Sequence, residues 1–511
     1  MKPARFGILA TVTLCLSCTG EPEAPAPEAG AAAPMGDIVL MPVPSEPTIA
    51  FSVSFGVGSQ DDPPGKEGLA YLTGQMIADA STETNAYADI LDALYPIASG
   101  YSARVDKEIT TITGRTHRDN TDVFFGLLSD AYLRPAFDTA DFERIKNDTI
   151  NYLENTLRYA SDEELGKAAL TQLIFGGTRY AHPIAGTAEG LRSIAIEDVV
   201  DFYARHYRAA NATLGLAGGY DDALIARFEA TLASLPDGTI PPDPVIEPAA
   251  WEGSEVLLID KPDADSSISF GFPISASRGE RDFYALWVAN SWLGEHRNQA
   301  GRLFNVIRGA RGLNYGNYSY LEAFPEGGQR TMPPVNVARH HQIFEVWIRT
   351  LPNHQAHFAL RAAVKELRDL VDGGMTQGEF DLTRAFLDKY VLHFAKTTSE
   401  RLGYAIDDRF YNVPDPGHLQ RFRDMLAELT VEEVNAAIAR HLRFDNLKIA
   451  IVTGDAENLR EALTENVSSP IEYESPMSQA LLDEDNFIEK IALDIRADQV
   501  TIVPIDEIFE R

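Results

Sequence analysis

The sequence predicts an α+β chain built from two related halves, and three observations carry that reading. A strand, a polar turn and a helix occur in that order twice. Thr48 to Val57 (TIAFSVSFGV) alternates as a strand and leads through GSQDDPPGKE to a helix from Gly68. Ser266 to Ile274 (SSISFGFPI) does the same and leads through SASRGERD to a helix from Phe283. The two halves also end alike. Asn211 to Gly219 is a strand and glycine turn before the helix ALIARFEATLASL, and Asn446 to Asp455 is a strand and turn before NLREALTE. The offsets are about 220 to 235 residues, as a duplicated unit of roughly 200 residues requires. Between the halves, Asp237 to Ser254 carries four prolines and reads as a linker.

These signals divide the chain into residues 38–240, a linker at 241–254, residues 255–456, and a tail at 457–511. In the tail, Gln499 to Ile508 (QVTIVPIDEI) reads as a strand followed by an acidic helix end.

With 511 residues, 45% of them hydrophobic, the chain is long enough for more than one core. Its formal charge of −32, from 44 basic against 76 acidic side chains, repels phosphate backbones and argues against nucleic acid as a partner. Both cysteines, Cys15 and Cys18, lie near the amino terminus, so the rest of the chain has no internal disulfide, Cys-based zinc cluster or thiol active site. Lys2 and Arg5 precede the apolar stretch Phe6 to Leu16, which is too short to span a bilayer and reads as a sorting signal. Its end, Cys15-Leu16-Ser17-Cys18, resembles a bacterial lipoprotein signal, with residues 1–18 as signal and Cys18 as the lipidated residue. Thr19, rather than aspartate, points to the outer membrane. Residues 19–37 are Pro/Ala/Glu-rich and read as a disordered tether to that lipid anchor.

There is no phosphate loop, nucleophile elbow or His-Glu-x-x-His motif. His340, His341, His354 and His357 cluster in sequence around the strand-like run IFEVWIRTL. No carboxylate accompanies them at helical ligand spacing, so they read as surface histidines.

One segment is more specific. Asp62 to Met76 (DPPGKEGLAYLTGQM) resembles the zinc helix of the insulinase and mitochondrial-processing-peptidase family, the inverted-motif zinc peptidases. In that family the helix reads Gly-Leu-Ala-His-x-x-Glu-His. The resemblance places Tyr71 and Gln75 at the two histidines and Gly74 at the glutamate. The family's third ligand, a Glu on a helix resembling Phe142 to Asn155, falls on Tyr152, with Glu154 two residues away. A phenol ionises near pH 10, an amide is a weaker ligand still, and glycine cannot act as a base, so zinc is not expected here. Tyr95 to Thr113 resembles the strand pair after the zinc helix, and Phe175 to Gly186 a family loop in which His182 reads as a packed histidine. The likeness covers about residues 40 to 460. It implies two homologous α/β-layered domains of the processing-peptidase type forming half of a clamshell chamber.

In the second half, Arg302 to Tyr318 (RLFNVIRGARGLNYGNY) resembles the family segment whose Arg and Tyr contact the substrate backbone and the carbonyl under attack. These are Arg308 and Tyr315 here, donors suited to an oxygen gaining negative charge. Arg311 reads as a surface charge.

A lost zinc site beside a retained Arg/Tyr pair implies a non-catalytic, substrate-binding subunit of a heterodimeric zinc peptidase acting on unfolded peptides in the periplasm. The zinc would then sit on a partner subunit, with no cofactor in this chain. The alternative is a stand-alone inactive homologue serving as a peptide-binding or structural envelope lipoprotein.

Overall fold

The computed structural model describes residues 37–511. The signal, the lipidation at Cys18 and all but the last residue of the tether lie outside the described residues.

Two open sheets organise the molecule. The first contains β1 (Asp37–Pro42), β2 (Thr48–Phe55), β3 (Gly100–Val105), β4 (Thr110–His117) and β5 (Ala212–Gly218), in the spatial order β1-β5-β2-β4-β3. The second contains β6 (Glu255–Asp260), β7 (Ser266–Ile274), β8 (Asn317–Tyr320), β9 (Gln342–Leu351), β10 (Lys448–Thr453) and β11 (Val500–Pro504), in the order β11-β6-β10-β7-β9-β8. Without β11 the two orders coincide strand for strand. The pairings coincide too, since β1/β5 and β6/β10 are parallel while β2/β5 and β7/β10 are antiparallel. The duplication expected from the repeated strand–helix pattern is therefore a duplication of topology, and the fold class is the expected one.

Helices pack on both sheets, and seven of them shape the cavities or anchor the tail: α1 (Leu69–Ala78), α2 (Thr139–Asn151), α3 (Asp162–Ile174), α4 (Arg281–Gly294), α5 (Ala356–Gly373), α6 (Thr398–Phe410) and α7 (Gln479–Ile488). One face of each sheet carries its own half's helices. On the second sheet that face presents Ile268, Phe270, Phe344 and Val346 to α4 and α5.

The opposite faces are covered by exchange. Leu257, Ile259, Ala450 and Val452 join the first half's core, where α3 packs on β10 and β7. Reciprocally, α6 of the second half lies on β1, β2 and β5, with Leu402 and Ile406 against Ala50 and Ala217. Central strands sandwiched in this way must be apolar on both sides, which is why LGLAG and KIAIVT read as continuous hydrophobic runs. The exchanged helices share a short sequence, Leu165-Gly166-Lys167-Ala168 and Leu402-Gly403-Tyr404-Ala405.

The tail binds both halves. β11 extends the second sheet beside β6. Arg311 is no surface charge: it is buried and bonded to Asp485 and Glu484 of α7. Its surroundings are set by the returning tail, which sequence spacing does not show. Arg361 of α5 is fully buried and donates to the carbonyls of Val467, Glu489 and Ile491. Residues 505–509 form a turn instead of a helix end, because their backbone is committed to the first half. Arg158 donates to Ile508 O at 2.8 Å, and the N–H groups of Ala188 and Glu189 donate to Phe509 O and Glu510 O.

The histidines near residue 350 match the surface reading only in part. His354 is exposed, but His357 is buried in α5. His340 keeps an exposed edge while bonding through Nδ1 to the buried Glu108 of the first half at 2.6 Å. His341 packs edge-on against Tyr180. The carboxylate was out of sight because it lies far away in sequence. No α-helix among the described residues is long and apolar enough to cross a membrane.

Candidate functional site

The start of α1 is built by a buried carboxylate. Asp62 accepts from the N–H groups of Gly68 at 2.7 Å and Ala70 at 2.6 Å, which occupies donors left unpaired at a helix start. Gly68 stands at φ 109, and a Cβ there would meet Leu191 Cδ2 at 2.6 Å and Ala185 O at 2.8 Å. Both conformation and closeness demand glycine. Leu69, Leu72, Met76 and Ile77 then bury the helix in the core. The part of the motif that survives is the part that folds.

From this start, α1 presents Tyr71 and Gln75 to a cavity of about 450 Å³, and Tyr152 lines it as well. Three of the four degenerate positions are thus brought together. Gly74 is not among the lining residues: its missing side chain would point at Val105 of β3. Tyr152 opens a π-helical turn, Tyr152–Leu157, that follows α2, a distortion common at functional sites. Glu154 does not line the cavity and is instead paired with Arg192.

The remaining walls come from both halves. The first contributes the strand edge Ser102 to Val105 and, from α3, Glu164 and Lys167. The second contributes Glu322 to Glu326, together with Ile343 and Glu345 of β9. Lys167 Nζ bonds Glu163 at 2.8 Å and Phe324 O at 2.7 Å, over the ring of Tyr320. Burial opposes its charge, but Glu164, Glu163 and Glu345 outweigh that and raise its pKa. Burial pushes Glu164 upward and Glu345 to about 7. With Glu345 partly protonated near neutrality, the cavity can both donate and accept hydrogen bonds. Sequence reading missed these groups; Glu164 and Lys167, three apart on one helix, were visible, but not the wall they form. His182 is a buried loop residue, bonded to its neighbour Pro183 O at 2.8 Å, and burial lowers its pKa to about 3.

The donor set does not fit zinc. Burial raises the pKa of Tyr71, and that of Tyr152 to about 12, so both phenols stay protonated. Among the described residues no group of three or more His, Cys, Asp or Glu side chains is placed to hold a metal ion.

Arg308 and Tyr315 meet each other but not this cavity. Arg308 Nη1 donates to Tyr315 O at 2.9 Å, and its guanidinium lies 4.2 Å from the centre of the tyrosine ring. Arg349 lies over that ring at 5.7 Å. Tyr315 is 66% exposed, with its neighbours Asn317 to Tyr320 forming the edge strand β8.

Comparison with known proteins agrees with this geometry. Residues 38–188 match the family model described as insulinase, peptidase family M16, and residues 193–387 match the peptidase M16 inactive domain. An uncharacterized zinc protease of Mycobacterium bovis is 25% identical over 405 residues, 78% of this chain and 87% of that protein. The non-peptidase homolog YmxG of Helicobacter pylori is 24% identical over 395 residues, 76% of this chain and 84% of that one. The fold is shared with a crystal structure of a peptidase M16 inactive domain from Pseudomonas fluorescens. Its TM-score is 0.71 at 22% identity, covering 81% of this chain and 94% of that one. The fold and the altered motif define a metallopeptidase homologue. The chain belongs to the insulinase family, as a member with a degenerate zinc site.

Proposed function

We propose that this chain is the non-catalytic, substrate-binding subunit of a heterodimeric insulinase-family peptidase that acts on unfolded peptides in the periplasm. The observation that carries the reading is a division of labour on one molecule. The cavity under the old zinc positions is kept without a metal-binding donor set, whereas Arg308 and the exposed Tyr315 are held together outside it. A pair placed there is available to a substrate shared with a second chain.

Two further features support peptide as the ligand. Among the described residues β3 is an edge of the first sheet without a further partner strand, and it borders the cavity, so its backbone groups can receive an extended chain. Guanidinium and phenol donors suit a peptide carbonyl that gains charge. Zinc and the general base belong, in this reading, to the partner subunit, and lipidation at Cys18 would hold the complex at the outer membrane.

The test is hydrolysis of an unfolded peptide by this chain, by an insulinase-family chain with intact zinc ligands, and by the two together. Activity is expected only from the mixture, falling by about a hundredfold or more when Arg308→Ala and Tyr315→Phe are combined. Unchanged hydrolysis in the double variant would refute the catalytic-subunit reading in favour of a stand-alone inactive binding protein.

A further inference from the structure

A second groove lies on the outer face of the first sheet, between β2, β4 and the exchanged helix α6. It is a cavity of about 310 Å³ continuous with one of about 200 Å³, since Ala50, Arg115 and Ser399 line both. Its floor follows from strand register. Ala50 opposes Arg115 and Ser52 opposes Thr113, so all four side chains rise on one face. The small residues leave the space, and the start of α6 roofs it with Thr397, Thr398 and Ser399.

The charges here run against those of the molecule. In a chain with 76 acidic and 44 basic residues, Arg115, Lys396 and Arg401 converge on one opening. All three are exposed, and none takes part in any ion pair found among the described residues. The carboxylate lining the groove, Glu46, is engaged by hydroxyls, since Thr48 donates to it at 2.7 Å and Thr398 donates to its other oxygen, and a second carboxylate, Glu400, accepts from Thr397 at the helix start. Deeper in, the Oγ of Ser52, a residue 2% exposed, has no hydrogen-bond partner among the described residues, and neither has the buried Oδ1 of Asn336. A buried unpaired hydroxyl is costly, and a ligand atom in the groove would satisfy it.

We propose that this groove binds a small phosphate ester. The phosphate sits among Arg115, Lys396, Arg401 and the N-terminus of α6, while the organic part runs inward toward Ser52 and Asn336. Three cations at the positive end of a helix, with the Ser399 hydroxyl beside them, form the set that a phosphate dianion takes, although the cap of that helix is already shared by Thr397 and Glu400. The site is separate from the cavity at Tyr71 and Gln75, and it does not depend on the peptidase reading.

Calorimetric titration of the full chain with inorganic pyrophosphate is the first test. One saturable site per chain is expected. Arg115→Gln and Arg401→Gln should each weaken it roughly tenfold. The triple variant R115Q/K396Q/R401Q should bind nothing while keeping its melting temperature, because all three side chains are exposed. Titration with glycerol 3-phosphate and with water-soluble dihexanoyl phosphatidylglycerol then separates a free metabolite from a lipid headgroup. The tighter of the two identifies the source. Ser52→Ala should weaken glycerol 3-phosphate more than pyrophosphate. No saturable binding of pyrophosphate, or binding that survives the triple substitution, would overturn the proposal.

Discussion

A Cβ placed on Gly74 would lie 2.5 Å from Val105 Cγ2 and 3.4 Å from Thr110 Cγ2. The position where the family carries its glutamate has been closed from the far side by a valine. Tyr71→His, Gly74→Glu, Gln75→His and Tyr152→Glu together are therefore expected to destabilise the fold by about 1–3 kcal/mol or more through overpacking at residue 74, without restoring zinc. Adding Val105→Ala should recover part of the loss; thermal denaturation and zinc content of the two variants check this. His357 supplies a pH prediction. Burial lowers its pKa to about 3, with Arg361 adding to the effect, so the folded state keeps it neutral while the unfolded chain takes up a proton below about pH 6.5. Stability is thus lost as pH falls from about 6.5 toward 3, at up to about 1.4 kcal/mol per unit for this residue. His357→Gln should flatten the dependence by that slope in urea titrations at pH 7 and pH 5. The residues at the family's zinc positions could be read for their fitness as ligands because each side-chain type has its own chemistry. The burial of His357 could not be read, since one histidine on a helix carries no sign of which way it faces.

At the scale of elements, the exchange of α3 and α6 is the feature that the sequence concealed. The strands and the helices from Gly68 and Phe283 were legible by period and by repetition, and the linker by its prolines. Nothing local to Thr398–Phe410 says that it will cover the other half's sheet; the repeated Leu-Gly-x-Ala is the one trace of it, and it is short. The contact is tight, because a Cβ on Gly215 of β5 would lie 2.9 Å from Leu402 Cδ1. Leu402 is 1% exposed in a small cluster with few neighbours to fill a gap. Leu402→Ala is expected to cost about 2–5 kcal/mol. If the two halves depend on each other, the loss should lower a single unfolding transition seen by both circular dichroism and tryptophan fluorescence.

Across the whole molecule, residues 505–509 close the core that β2 begins. Ile505, Ile508 and Phe509 are buried in the first half's core, and Arg158 is buried against Ile508 O. Deleting residues 505–511 removes three apolar anchors worth about 1.5–3 kcal/mol each and strips a buried guanidinium of its acceptor. The shortened chain is expected to melt well below the full one and to be cut by trypsin in the first half, both read by thermal shift and limited proteolysis. The shared strand order of the two sheets explains why the fold class was legible from a repeat, whereas the tail's path, which has no counterpart in the first half, was not.

That terminal strap also sets when the protein can be finished. A ribosome delivers the first half long before it reaches Phe509, so the earlier half must wait, incomplete, until that residue has emerged. A chain released before Phe509 would present an open hydrophobic seam where Ile505, Ile508 and Phe509 pack.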